Sequence, residues 1–298
     1  MAKTTKTTAK EGSSEPTFGY WAAIVSTIIQ TAASGATLFY FLDKAYQSAE
    51  RIEEEKAFIL KIVYSFLVFF SISAAMLLSG IEAPYGRYAA GASWLYGVDV
   101  EGKTAWILQE SPNLFAVAWA LYYAPDNLFS SWESVFKYKY NILLISMFTV
   151  HYTNRVLIFP LRMRGGKPSK FMTFIMALIF CSANGYIQMR GLTLTPITIA
   201  NDSNMMIFRI LLGTAVWAAG MYINCDSDDI LRNLRKPGDT GYKIPYGGMF
   251  RLVSGANFFG EIVEWSGFAI ACSVGENSML PSLCFALCTA MNIGPRAI

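Results

Sequence analysis

The sequence predicts an all-α integral membrane protein, a polytopic helix bundle, and three observations carry that prediction. Apolar residues make up 54% of the 298 positions, charged residues make up 15% where soluble domains carry ~25%, and the mean hydropathy is +0.36. The apolar residues gather into eight stretches, most of them near the ~20 residues that a helix needs to cross a ~30 Å hydrocarbon layer. Only helices and closed barrels satisfy their backbone polar groups in such a layer, and these runs are too long and too evenly apolar for barrel strands.

Taken in order, residues 1–17 (MAKTTKTTAKEGSSEPT) are polar, Thr-rich and aperiodic, and read as a disordered cytosolic tail. The first span, 18–42, has 25 uncharged residues, well beyond the ~7–15-residue apolar core of a cleaved signal. Together with the acidic linker 43–57 it forms a unit of its own. The remaining spans, 58–81, 105–124, 141–161, 171–189, 205–224, 250–274 and 279–293, belong to a membrane domain covering 58–298. Glu110 and Pro112 interrupt the third span, and the eighth is short.

Charges between the spans set an orientation. Loop 162–170 holds Arg162, Arg164, Lys167 and Lys170, and loop 225–251 holds Arg232, Arg235, Lys236, Lys243 and Arg251. Two spans separate these loops, so they share a face, and Lys3, Lys6 and Lys10 of the tail fall on that face when all eight spans cross. The segment 43–57, with Asp43, Glu50, Glu53, Glu54 and Glu55, falls opposite. Basic residues accumulate on the cytosolic side, which places both termini there.

Composition also excludes functions. All five cysteines lie in or beside apolar runs, which argues against a disulfide framework. One histidine, His151, is too few for zinc hydrolase or di-iron centres. A net charge of +3, with most of the cations outside the spans, gives no reason to expect nucleic acid. The chain contains no Gly-x-Gly-x-x-Gly and no Walker loop.

Ionisable groups at membrane depth cost roughly 2.5–3.5 kcal/mol each on insertion scales, so they point to function. Four places stand out: Gln109-Glu110; His151-Tyr152 with Asn154-Arg155; Asn224 with Asp226, Asp228 and Asp229 at the end of the sixth span; and Asn257, Glu261 and Glu264 in the seventh. The last three share one helix face by their i, i+4, i+7 spacing. Any single one also fits as interhelical glue, and Glu264 is left as an anchor of a neighbouring helix. Number argues for more: two carboxylates, a tyrosine and several amides recur across four spans. The loop LRNLRKPGDTGYKIPYGG (231–248) adds turn formers and cations suited to a phosphate-bearing ligand, although a positive-inside anchor to lipid headgroups accounts for its charge equally well.

That loop, continued by GGMFRLVSGANFFGEIVEWSGFA (247–269), resembles the C-terminal signature of the steroid 5α-reductases (3-oxo-5α-steroid 4-dehydrogenases), of the animal type-1 kind. AWILQESP (105–112), VHYTNR (150–155), MRGGKP (163–168) and NGYIQ (184–188) match upstream in the same order, so the resemblance covers about 58–298. It implies seven family transmembrane helices, with 18–42 an extra N-terminal one, and NADPH-dependent reduction of the C4–C5 double bond of a 3-oxo-Δ4 steroid in the endoplasmic reticulum membrane. By the same resemblance Glu110 and Tyr152 hold the steroid 3-carbonyl, and Trp106, Gln109 and Glu261 line the substrate pocket, Glu261 toward the nicotinamide. Arg164, Lys167, Asn224, Asp228, Arg235, Tyr242, Asn257 and Arg296 are the implied NADPH contacts. Family members continue past GPRAI with a His-rich aromatic tail, whereas this sequence stops at Ile298.

The residue types suit this chemistry. Hydride addition at C5 of an enone pushes negative charge onto the 3-oxygen, where a positioned donor lowers the barrier as an oxyanion hole does. A neutral phenol can donate there, and so can a carboxyl that carries its proton. Two alternatives stand beside it: a sister reductase of polyprenols or trans-2-enoyl-CoA, and a catalytically impaired sterol-binding relative.

Overall fold

The computed structural model describes residues 52–80, 96–122, 131–164, 167–198, 203–235 and 243–297. The tail, the 18–42 span and Tyr242 lie outside these. Long helices occupy the other seven expected spans: α1 (Ile52–Leu78), α2 (Gly102–Tyr122), α4 (Lys139–Thr153), α6 (Phe171–Thr193), α7 (Asn204–Asn233), α8 (Ala256–Cys272) and α9 (Met279–Ala297). A short α3 (Trp132–Lys137) precedes α4, which runs through a π turn (Asn154–Ile158) into α5 (Phe159–Arg162). The protein is an all-α polytopic membrane protein, and four of the described helical stretches are long and apolar enough to cross a bilayer: Glu53–Leu78, Lys139–Arg162, Phe171–Thr193 and Asn204–Asn233. The described sheet is one antiparallel pair, Asp99–Val100 with Ser169–Lys170, fastened by a Lys170–Asp99 ion pair of 2.9 Å.

Three element ends differ from expectation by six residues or more, two of them where polar side chains find partners inside the bundle. α1 starts ahead of residue 58, because Glu55 is a buried ligand and not part of a solvated linker. Its carboxylate accepts from Arg190 Nε and Nη2 (2.6 Å each) and from the Tyr186 hydroxyl (2.8 Å), joining α1 to α6. α7 continues through Asn233, so Asp226, Asp228 and Asp229 stand on the helix and not beyond its end. α8 begins at Ala256, later than 250, after a 3₁₀ turn at Gly248–Arg251.

Packing in a membrane depends on close backbone approach, and α7 against α8 is the clearest case. Gly213 and Gly220 on α7 face Gly267 and Gly260 on α8 in antiparallel register. A Cβ on Gly220 would overlap the Glu264 backbone and stand 2.7 Å from Gly260 O, and one on Gly267 would stand 2.7 Å from Gly213 O. Gly220→Leu or Gly267→Leu is therefore expected to cost at least the ~1–3 kcal/mol of ordinary overpacking. Heating detergent-extracted protein and following the monodisperse fraction tests this, and parent-like stability would contradict the packing.

Two apolar clusters fill the remainder. One joins α2, α4, α6, α8 and α9 through Val117, Phe148, Met189, Trp265, Phe268 and Phe285. The other joins α1, α6 and α9 through Ile62, Ile187, Cys284 and Cys288. All five cysteines are free thiols.

Candidate functional site

The site begins with a backbone irregularity. Pro160 has no N–H, and its ring would collide with the carbonyl four residues back in a regular helix. The chain widens there into the π turn, and Phe159 N–H donates to Asn154 O, five residues back. Arg155 O then lacks an α-helical donor, and its π-type donor would be Pro160. The Trp106 indole N–H of α2 reaches across and donates to Arg155 O at 3.0 Å.

Arg155 leaves this turn as the hub of a charged group. Its guanidinium lies over the rings of Trp106 (4.7 Å) and Phe159 (4.9 Å). Nη2 pairs with Glu261 Oε1 at 2.9 Å and Nη1 with Asp228 Oδ2 at 3.5 Å. Asn224 Nδ2 donates to Asn257 O (3.0 Å) and to Glu261 Oε1 (3.4 Å). The Gly260 contact explains why Asn224 and Glu261 meet, since a side chain at Gly260 would overlap the Asn224 backbone. Five of the residues that the sequence singles out, Trp106, Asn224, Asp228, Asn257 and Glu261, thus converge around Arg155, whose position at membrane depth the sequence shows without a role.

Glu110 and Tyr152 stand beside this group. Glu110, half-buried, is in electrostatic reach of Arg155, Glu261 and His151, and Tyr152 is in reach of Glu110, Glu261 and Arg155. The Cys181 thiol points at Glu110 Oε2 (3.6 Å), and Asn184 Nδ2 donates to the Tyr152 hydroxyl (3.4 Å). Tyr152 is buried against Phe148 (4.5 Å between ring centres) and the edge of His151 (4.9 Å). His151 Nδ1 and Glu264 Oε1 share a fully buried hydrogen bond of 2.8 Å. Glu264 is thus the anchor that its position suggested, and its partner is His151. Gln109 is half-buried, next to Glu110 on α2.

The remaining cofactor candidates spread along the basic end. Arg164 and Lys167 are exposed after α5, and Arg235 is exposed just past α7. Arg162 Nη2 donates to Asp229 Oδ1 at 2.7 Å, Arg232 pairs with the same carboxylate, and Arg162 and Arg164 lie within electrostatic reach of Arg232. Gly247 and Gly248 turn with φ of 110° and 47°, and Gly248 lies so near Asp226 that a side chain there would overlap its carboxylate. Arg296 donates to Asn292 Oδ1 (2.6 Å) one turn back on α9.

Sequence reasoning assigned no role to Asn184, Gln188 or Cys181. Their signal was available in the i, i+4 spacing of Asn184 and Gln188 within an apolar helix, each 2% exposed or less.

Comparison of the sequence with known proteins leads to one family. The model of the family described as 3-oxo-5-alpha-steroid 4-dehydrogenase matches residues 167–298. The 3-oxo-5-alpha-steroid 4-dehydrogenase 1 of Bos taurus is 44% identical over 198 residues, covering 66% of this chain and 72% of the relative. The Rattus norvegicus protein of that name is 42% identical over 232 residues, covering 78% and 82%. The 3-oxo-5-alpha-steroid 4-dehydrogenase 2 of Sus scrofa is 35% identical over 227 residues, covering 76% and 83%. At this identity over most of both chains, the protein belongs to the 3-oxo-5-alpha-steroid 4-dehydrogenase family of oxidoreductases.

Proposed function

We propose that this chain reduces the C4–C5 double bond of 3-oxo-Δ4 steroids to 5α-3-oxosteroids with NADPH, in the endoplasmic reticulum membrane with its basic loops in the cytosol. The carrying observation is that Glu110 and Tyr152, from two separate helices, lie within electrostatic reach of each other and of the Arg155 group inside the bundle.

Tyr152 and Glu110 hold the steroid 3-oxygen. As C5 becomes tetrahedral, negative charge moves to that oxygen, and donors already aimed at it need no reorganisation at the moment of reaction. The enolate then takes a proton at C4 from water, which is left as hydroxide and reprotonated by solvent. Trp106, Gln109 and Glu261 shape the pocket next to the carbonyl end.

The donor set fits NADPH. Exposed Arg164, Lys167 and Arg235 offer cations to its phosphates, and the close turn at Gly247-Gly248 lets backbone approach. Asn224, Asn257 and Asp228 offer amide and carboxylate partners to the ribose and carboxamide. Tyr242 and Arg296 complete the set. When bound, NADPH supplies the hydride that C5 receives.

The test is to incubate membranes carrying the chain with NADPH or NADH and a panel of progesterone, testosterone and a trans-2-enoyl-CoA, with products read by mass spectrometry. NADPH-dependent 5α-reduced steroid is expected. Saturated product from the enoyl-CoA alone, or steroid binding without any product, would overturn the proposal.

A further inference from the structure

A chain of two buried amide side chains leads away from the Tyr152 hydroxyl and ends on a backbone carbonyl. Gln188 Nε2 donates to Pro281 O of α9 at 2.8 Å and to Asn184 Oδ1 at 3.2 Å, and Asn184 Nδ2 donates to the Tyr152 hydroxyl oxygen at 3.4 Å. Tyr152 is 3% exposed, Gln188 2% and Asn184 0%. The chain is therefore held away from solvent.

Its direction follows from chemistry alone. A carbonyl oxygen only accepts, so the Gln188 atom facing Pro281 O is the amide nitrogen. That same nitrogen faces Asn184, so the Asn184 atom opposite it is the oxygen. The other arm of Asn184, its NH₂, is then turned to Tyr152, and the phenol oxygen must accept. No hydrogen position has to be seen for this assignment, because each amide orientation is forced by its neighbour. With a donor already on its oxygen, the phenol has its own O–H left for something outside the chain. A donor on the oxygen also strengthens the bond that the hydroxyl makes in turn.

Location agrees with this reading. A Cβ on Gly185 would stand 2.9 Å from Ala116 Cβ and 3.0 Å from Asn113 Cα, so α6 is pressed on α2 beside Glu110, and Asn113 Nδ2 itself donates to Glu110 O at 3.2 Å.

We infer that Asn184 and Gln188 are positioning residues that set the Tyr152 hydroxyl as a donor toward an acceptor oxygen of the ligand, so that the pocket selects a 3-oxo over a 3-hydroxy group. The inference rests on the function proposed above for the identity of that ligand.

A structural role and a polarity role predict opposite orders of damage. Asn184→Asp keeps the shape but places an acceptor against the phenol, so the hydroxyl turns to it and is lost to the ligand. Asn184→Ala makes a cavity but leaves the hydroxyl available. The expected result is a fall in kcat of about 100-fold or more for Asn184→Asp, within the range for losing one oxyanion donor. For Asn184→Ala we expect less than about 10-fold, since the phenol donor survives and only its support is lost. Gln188→Glu against Gln188→Met repeats the ordering one turn away and covers misfolding of either Asn184 variant. In a Tyr152→Phe background, Asn184→Asp should add nothing to the loss. Equilibrium binding supplies the arm that needs no turnover: Asn184→Asp should weaken binding of a 4-en-3-one steroid and spare its 3-hydroxy counterpart, which can donate to the reversed phenol.

An Asn184→Asp variant no worse than Asn184→Ala, or equally damaging with and without the Tyr152 hydroxyl, would overturn the inference. A parent protein that binds both steroids and reduces neither would refute the reductase reading. The binding ratio would still decide the polarity.

Discussion

Tyr152→Phe lowers kcat for steroid reduction by about 10²–10³-fold, the loss found when one donor is removed from an oxyanion site, and leaves NADPH affinity close to that of the parent. The substitution removes a single oxygen. The ring that packs on Phe148 and Trp265 stays, with centroid distances of 4.5 and 6.0 Å, so the buried face of α4 is unchanged. What remains is an Asn184 NH₂ without its acceptor, at a stability cost of about 1–3 kcal/mol. Glu110→Gln is expected to cut turnover by orders of magnitude as well, because an amide keeps the size but is a weaker donor to the developing oxyanion than a carboxyl that carries its proton. Neither residue is among those placed against the cofactor, which is why cofactor affinity is the control. Single-turnover rates with saturating NADPH, together with NADPH binding followed by fluorescence, separate the effects. Unchanged steroid reduction in either variant would remove that residue from the mechanism.

Much of the fold is legible in the sequence because apolar length is a local property. Each of the seven spans after residue 57 contains a long helix, and composition alone locates them. Their ends are less legible, since an end depends on what the polar residues there meet. Three acids in a row at Glu53–Glu55 look like a solvated linker. Yet Glu55 is buried by a bidentate Arg190 that lies 135 positions away in sequence. Asp228 and Asp229 likewise read as a helix terminus until Arg155, Arg162 and Arg232 are seen to occupy them. For the site, polar residues in apolar runs exposed the candidates, while their pairing did not show. That Arg155 meets Glu261 follows from the π turn ahead of Pro160 and from the packing of α4 and α8. That the Tyr152 phenol accepts from Asn184 follows from a carbonyl at Pro281, 93 positions from Gln188. Long-range partners of this kind leave no spacing to read.

Arg155→Met destabilises the folded protein by about 3–5 kcal/mol, as expected when one partner of a buried ion pair is removed and the other is left behind. Here two carboxylates are left. Arg155, Asp228 and Glu261 have side-chain exposures of only 12%, 10% and 17%, so water replaces little of the lost attraction. Methionine fills the space between Trp106 and Phe159 but gives up the guanidinium–ring contacts, worth about 0.5–2 kcal/mol. Against a total stability of about 5–15 kcal/mol this removes a large share of the folded population. The effect is electrostatic, so it has a specific remedy. Adding Glu261→Gln to Arg155→Met removes one orphaned charge and should recover a substantial part of the loss, whereas Arg155→Lys should retain the charge balance while losing the flat contact with both rings. Thermal unfolding of the extracted variants, read as the temperature at which the monodisperse peak halves, gives the order parent, then Arg155→Lys, then the double variant, then Arg155→Met. A double variant no more stable than Arg155→Met would mean that the guanidinium acts through packing on Trp106 and Phe159 and not through charge. The hub would then have to be redrawn around the rings.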